Sequence, residues 1–598
     1  MPITLGNLTW DNLIVSFPLE LRSRVGGHLE RIYGAASDSM INELLQRMDY
    51  ERIESDHPPG RNHWDESRAI LITYGDSVTS SSEPPLASLN EFVEQRLGDV
   101  VSDVHILPFF PSSSDDGFAV KDYLSVDEEL GQWSDVELIC KNRGLLVDLV
   151  INHCSSEHPW FEQFKSNASP GKDYFVEVDP LSDLSKVVRP RTSELLRETD
   201  RESGSAFVWC TFSHDQVDLD FANPEVLKEM VSIIRFLLGK GVRGFRLDAV
   251  AFVWKELNTT CLNLPQTHEI VRLLRTLIEH YDPSVLIITE TNIPNRENLS
   301  YFGNGNEAHI IYNFALPPLI LQAMVTGNNY YLNNWLMSMP PAQDGTTYLN
   351  FIASHDGIGL RPVEGILSQQ EIQELIKTMR DFGGLISSRN LNGGSEKPYE
   401  INISLFSALQ GTVAGPDEFQ VERFLCAHTI MMALEGIPAI YLHSFLGAEN
   451  DMQLLGKTGR NRSINRGRFD LSELERSLDD IDSSMHRVFY GLQEVLSVRQ
   501  RQAAFHPNAT QYTLHLGEGL FSFWRQSRSR SQSIFCVHNI TDREKEFSLD
   551  QLNLIETDEW FDLLSARSFP NLKAKLNLRP YQCLWLTNGR SLGNGSNL

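Results

Sequence analysis

Three apolar runs in this chain each stop at a carboxylate: Gly-Phe-Arg-Leu-Asp at 244–248, Ile-Ile-Thr-Glu-Thr at 287–291 and Ala-Ser-His-Asp at 353–356. An acid at the end of a buried strand costs free energy unless it works at a site. Acids in this arrangement suit glycosidic bond cleavage. One carboxyl protonates the leaving oxygen, and a second attacks or stabilises the cationic anomeric carbon. Neighbouring strand ends would bring Asp248 and Glu290 close enough for a retaining double displacement, with Asp248 as nucleophile and Glu290 as acid and then base. Arg246 stands two residues before Asp248, on the same side of a strand. Its fixed charge is expected to keep Asp248 ionised. Asp356 and His355 could hydrogen-bond sugar hydroxyls. Taken singly, Arg-x-Asp reads as a structural ion pair and His355-Asp356 as a capped strand end. Order and spacing raise the set above its parts.

Convergence needs a scaffold. Eight near-continuous apolar runs appear at 69–74, 104–108, 144–151, around Asp248, around Glu290, at 308–312, 348–354 and 437–442, with amphipathic segments such as 226–238 and 270–278 between them. Apolar strands alternating with helices describe a parallel sheet covered on both faces. Eight such units describe an α/β (β/α)8 TIM barrel, whose catalytic residues gather at one mouth. The barrel is assigned to 69–152, 213–359 and 421–500. A helical segment, 1–68, precedes it. Two inserted subdomains interrupt it, one after strand 3 (153–212) and one after strand 7 (360–420). In the latter, Ser368 and Glu371 make a capping box, and 389–399 reads as a turn-rich loop over the site. Short strands from about 500 onward predict an all-β C-terminal domain (501–598), with 525–533 as a solvated hairpin turn and 588–598 as a frayed end.

The 598 residues carry 52 basic and 79 acidic side chains, a net charge of −27. That excludes a nucleic-acid backbone as partner, which needs a basic face. Seven cysteines, an odd number without Cys-x-x-Cys, fit reduced thiols in the cytoplasm and no metal site. No apolar run is long enough to span a membrane. A homodimer is compatible with the sequence.

Asp148-Leu-Val-Ile-Asn-His153, Gly244–Asp248, Glu290 and Ala353–Asp356 resemble the four signature regions of the α-amylase superfamily, in order, over nearly the whole chain from about residue 69. Asp115-Asp-Gly-Phe118, Arg189-Pro-Arg191, Gln216-Val-Asp-Leu-Asp220 and Ile464-Asn-Arg466 are similar to the sucrose-phosphorylase branch. The resemblance implies Asp248 as nucleophile, Glu290 as acid/base and Asp356 as transition-state stabiliser. It implies Asp115, Phe118, His153, Gln216, Arg246, His355 and Arg462 around the glucosyl ring. Arg191 and Tyr399 match positions contacting phosphate or acceptor. Phosphate is then a co-substrate alongside a small glucoside, with no metal or organic cofactor.

Val188-Arg-Pro-Arg191, Lys397-Pro-Tyr-Glu-Ile-Asn402 and Tyr441-Leu-His-Ser444 resemble the glucosylglycerate phosphorylases more closely, and Lys397 could then face the glycerate carboxylate. The resemblance implies reversible phosphorolysis of 2-O-α-glucosylglycerate to α-glucose 1-phosphate and glycerate. Sucrose, sucrose 6′-phosphate or glucosylglycerol as donor, hydrolysis or transglucosylation, and a silent carbohydrate-binding protein are the alternatives.

Overall fold

The computed structural model describes residues 17–49, 64–390, 396–552 and 559–588. The expected fraying therefore lies outside the described residues, except for Asn588, which ends the strand Cys583–Asn588. Of the expected N-terminal helical segment, 1–16 and 50–63 also lie outside.

Eight parallel strands close into a barrel in chain order: β1 (Ile70–Thr73), β2 (Asp103–Ile106), β3 (Gly144–Val150), β4 (Val242–Asp248), β5 (Leu286–Thr289), β6 (Ile310–Tyr312), β7 (Thr347–Asn350) and β8 (Ile437–Tyr441), which pairs back onto β1. The α/β (β/α)8 barrel is thus the fold. Its strands are apolar almost throughout because helices cover the outer face and packed side chains fill the inside.

Two N-terminal helices, α1 (Leu19–Tyr33) and α2 (Asp38–Asp49), lie against the barrel's outer helices. In α2, Ile41, Leu44, Leu45 and Met48 recur at helical spacing and are all buried, each worth about 1.5–3 kcal/mol. In α1, His28 meets Glu269 at 2.6 Å, and Arg31 binds the same carboxylate at 2.5 Å.

After β3, the short strand His153–Ser155 pairs antiparallel with Gln216–Asp218, and a hairpin (Leu196–Arg201 with Gly204–Trp209) lies between them in sequence. After β7, the helix Gln369–Asp381 opens on the expected Ser368/Glu371 capping box. Within the segment read as a loop at 389–399, the described residues 389–390 and 396–399 are strand instead. Leu385–Asn390 and Glu396–Asn402 form an antiparallel ladder, and Ile358–Gly359 joins its other edge. Apolar-polar alternation at Tyr399-Glu-Ile-Asn402 outweighs the glycines between the strands. A register shift at Ser387/Ser388 sets Ser388 opposite Pro398 and skips Tyr399. A bulge tolerates a residue without an N–H and re-aims its neighbours. Here it turns Tyr399 and Glu400 toward the barrel mouth.

The C-terminal residues form a six-stranded antiparallel sheet, with Leu520, Phe535, Val537 and Leu586 in its own core. The solvated-turn reading of 525–533 fails at Arg525. Its side chain is fully buried and donates to the carbonyls of Ala433 (2.6 Å), His506 (2.9 Å) and Ala509 (3.3 Å). A guanidinium can be interior where carbonyls take its donors, and this one ties the sheet to the barrel. Among the described residues no helix is long and apolar enough to cross a membrane.

Candidate active site

Strand pairing determines where the acids meet. In the β4–β5 register Arg246 stands beside Ile288 and Leu247 beside Thr289, so the next residues, Asp248 and Glu290, leave the barrel side by side. The β3–β4 register sets Asp148 beside Arg246. One guanidinium therefore holds three acids: Arg246 donates to Asp148 and to Asp248 Oδ1 at 2.8 Å, and lies 3.9 Å from Glu290 Oε2. The backbone N–H of Ala249 donates to the same Glu290 oxygen at 3.1 Å.

Asp248 and Glu290 share a pocket with Asp356, Asp115, Phe118, His153, Gln216, Arg246, His355, Arg462, Arg191 and Tyr399. Twelve of the thirteen site residues expected from sequence thus meet in one place. Lys397 does not. Its ammonium binds Glu364 at 2.8 Å, and Glu364 also takes Arg389 at 3.0 Å. Register sets Arg389 opposite Lys397, so one carboxylate satisfies both cations and keeps the lysine out of the pocket.

The glucosyl end is built by local pairing. The short ladder after β3 brings Gln216 Nε2 to 3.2 Å from His153 Nε2, and the same amide nitrogen donates to Asp115 at 3.2 Å. Phe118 stacks on His355 with ring centroids 5.3 Å apart and planes 8° from parallel, an apolar wall for a sugar face. Burial holds the His355 imidazole down at about 3 and so neutral. Asp115, Ala249 and Asn292 sit at positive φ of 54°, 51° and 44°. Non-glycine residues held there cost about 1–3 kcal/mol each and cluster at functional sites. Asn292, Ala249, Phe212 and Glu400 were not singled out from sequence. Positive φ and backbone donors carry no residue signature, and Glu400 reads as one acid among many.

Burial opposes Arg246 at Asp248: desolvation pushes this carboxyl up to about 8, with the charges of Glu290 and Asp148 acting in the same direction. Burial raises Glu290 as well. The pair therefore retains a proton near neutral pH. Because Arg246 donates directly to Asp248 and stands farther from Glu290, the negative charge belongs on Asp248 and the proton on Glu290. Asp356 behaves in the opposite way. Arg462 at 2.5 Å and Arg466 at 3.7 Å hold it well below the usual carboxylate range despite its burial.

The pocket opens into an outer cavity of about 510 Å³ lined by Arg191, Tyr399, Glu400 and Arg462 among others. Its cations are mostly committed. Arg462 binds Asp356 and Glu400, while Arg460 and Arg466 both bind Asp116. Arg191 has no carboxylate partner among the described residues. It lies over the rings of Phe212 (5.5 Å) and Tyr399 (5.9 Å), and the Tyr399 hydroxyl accepts from Asn292 at 3.2 Å. A guanidinium not neutralised by a described carboxylate and steadied by two aromatic faces is suited to an anion.

Residues 95–358 match the α-amylase catalytic domain model. A glucosylglycerate phosphorylase of Spirochaeta thermophila is 40% identical over 90% of this chain and 93% of that protein. One from Escherichia coli is 36% identical over 95% of this chain and 100% of that protein. The crystal structure of a sucrose 6F-phosphate phosphorylase from Thermoanaerobacter thermosaccharolyticum shares the fold, with a TM-score of 0.69 at 24% identity over 79% of this chain and 94% of that chain. Eight strands in order, converging acids and this likeness over nearly the full length lead to one assignment: the chain belongs to the α-amylase family, in the branch of the sucrose and glucosylglycerate phosphorylases.

Proposed function

We propose that this protein is a retaining α-glucoside phosphorylase that converts 2-O-α-glucosylglycerate and phosphate into α-glucose 1-phosphate and glycerate. One observation carries the phosphorylase reading: Arg191, a guanidinium with no carboxylate partner among the described residues, at the mouth of a pocket that holds three carboxylates. Similarity to glucosylglycerate phosphorylases over almost the whole chain supports glycerate as the leaving group.

Glu290 gives its proton to the glycerate oxygen as the C1–O bond breaks, and Asp248 forms a bond to C1, making a β-glucosyl ester. A phosphate oxygen then attacks C1 from the face that glycerate left. The ester bond breaks, Asp248 recovers its charge, and the proton of phosphate passes to Glu290. Two inversions keep the α configuration. Asp356, held ionised by Arg462, stabilises the positive charge that builds on the ring in the transition state of each step. Arg191 and Tyr399 hold the acceptor anion. No metal or organic cofactor takes part, and the seven free thiols suit a cytoplasmic setting.

The test is a donor panel of glucosylglycerate, glucosylglycerol, sucrose and sucrose 6′-phosphate, each with and without phosphate. Release of glucose 1-phosphate is expected to require phosphate and to favour glucosylglycerate over sucrose by roughly 10²-fold or more in kcat/KM. Equal sugar release without phosphate means a hydrolase, and a preference for sucrose rejects glycerate as leaving group. Replacing Arg191 with alanine is expected to raise the phosphate KM about 10- to 100-fold, the worth of a charge-assisted hydrogen bond. Steady-state phosphorolysis at varied phosphate measures it, and an unchanged KM removes Arg191 from the acceptor site.

A further inference from the structure

We propose that Glu400 is a positioning residue for this reaction: it orients Arg462 against Asp356 and cancels the remaining charge of that arginine, so that the acceptor anion goes to Arg191. The inference deepens the phosphorylase reading and rests on it.

Glu400 is 1% exposed and follows Tyr399 on the strand Glu396–Asn402. Its two oxygens take Arg462 in a fork, Oε1 from Nε at 3.0 Å and Oε2 from the terminal nitrogen at 2.7 Å. Asn402 donates to Oε1 at 2.6 Å. The other terminal nitrogen of Arg462 is left for Asp356, at 2.5 Å. A planar guanidinium gripped along one edge has no freedom to turn its other edge away from its second partner. The backbone makes room for this grip. A Cβ at Gly357, the residue after Asp356, would lie 2.5 Å from Glu400 Cγ.

Charge gives the second half of the inference. Arg462 faces two carboxylates, and the buried acid is stable as an ion because of that arginine. With Glu400 neutral, Arg462 would keep only Asp356, and the outer cavity would gain a positive charge beside the path of the incoming phosphate. Glu400 also joins the strand Glu396–Asn402 to the group that stabilises the transition state, because it is the neighbour of Tyr399 and the partner of Arg462.

The test uses the full chain with α-glucosyl fluoride as donor and phosphate as acceptor. This donor contains no glycerate, so the result is independent of the leaving group, and the phosphate dependence of the parent enzyme checks the phosphorylase reading separately. For Glu400→Gln, which keeps shape and one acceptor oxygen, kcat is expected to fall roughly 10- to 100-fold as Arg462 and Asp356 lose their alignment. The phosphate KM is expected to fall about 10-fold as Arg462 becomes an anion ligand. Glu400→Asp keeps the charge at a shorter reach. It is expected to lower kcat with the phosphate KM unchanged, which ties the fall in KM to the lost charge; should the glutamine variant not fold, Glu400→Ala is read in its place, with the same expected fall in phosphate KM and the same overturning result. A merely structural role would lower kcat in Glu400→Gln with no fall in phosphate KM. That result overturns the proposal, as does a glutamine or aspartate variant with both constants within two-fold of the parent.

Discussion

Asp248→Asn is expected to abolish phosphorolysis, with turnover lowered by about 10⁴- to 10⁶-fold, as when a covalent nucleophile is removed from a working set. The amide fills the same space and can still meet Arg246, whose other tight partner is Asp148. It cannot form the ester to C1. Glucose 1-phosphate release and the mass of protein trapped with α-glucosyl fluoride measure the loss, and a variant that still gains a glucosyl adduct would falsify the nucleophile assignment. The same substitution has an opposite effect on stability. Burial raises the Asp248 and Glu290 carboxyls, that of Asp248 up to about 8, so between the ordinary carboxylate range and that pH the folded chain holds on this pair a proton the unfolded chain has released. Stability is therefore lost as pH rises through this window. Asparagine removes one acid of this buried pair, and the variant is expected to melt at an equal or higher temperature than the parent near neutral pH. A lower Tm there would show that ionised Asp248 stabilises the fold.

The second large effect is expected at Glu290→Ala, and it depends on the substrate. With glucosylglycerate the leaving alkoxide needs a proton, and loss of the acid is expected to lower kcat/KM by about 10²- to 10⁴-fold. Fluoride leaves without one, so α-glucosyl fluoride is expected to glucosylate Asp248 at a rate much nearer that of the parent. Azide, which needs no base, is expected to speed turnover of the resulting ester and give the α-glucosyl azide. The parent's pH profile carries the same signature. Burial raises Glu290 above the ordinary glutamate value, and the basic limb of kcat/KM for glucosylglycerate should reflect loss of that proton while the limb for the fluoride should not. An equal loss on both donors, without azide rescue, would assign Glu290 to the fold and not to proton transfer.

Much of this was legible in residue order. Apolar runs ending in Asp248 and Glu290 specify strands that face a site, because a buried strand cannot otherwise end in a charge at acceptable cost. The Ile41–Met48 spacing and the Ser368/Glu371 box place helices by local rules alone. Illegible parts depended on what arrives from elsewhere in the chain. Lys397 looks like a free cation in a polar loop until Glu364 and Arg389 arrive beside it. Arg525 looks solvated among serines until the carbonyls of Ala433 and His506 enclose it.

Residue order alone specifies eight strand-helix units in a barrel and the acids at its mouth, since hydrophobic period and strand ends are properties of neighbours along the chain. How those acids are charged, and which cation remains for an anion, follows from the folded arrangement and not from residue order. Desolvation of Asp248, the double hold on Arg462 and the freedom of Arg191 each depend on groups brought together from distant segments, and electrostatic energy is set by distance in space and by exclusion of water.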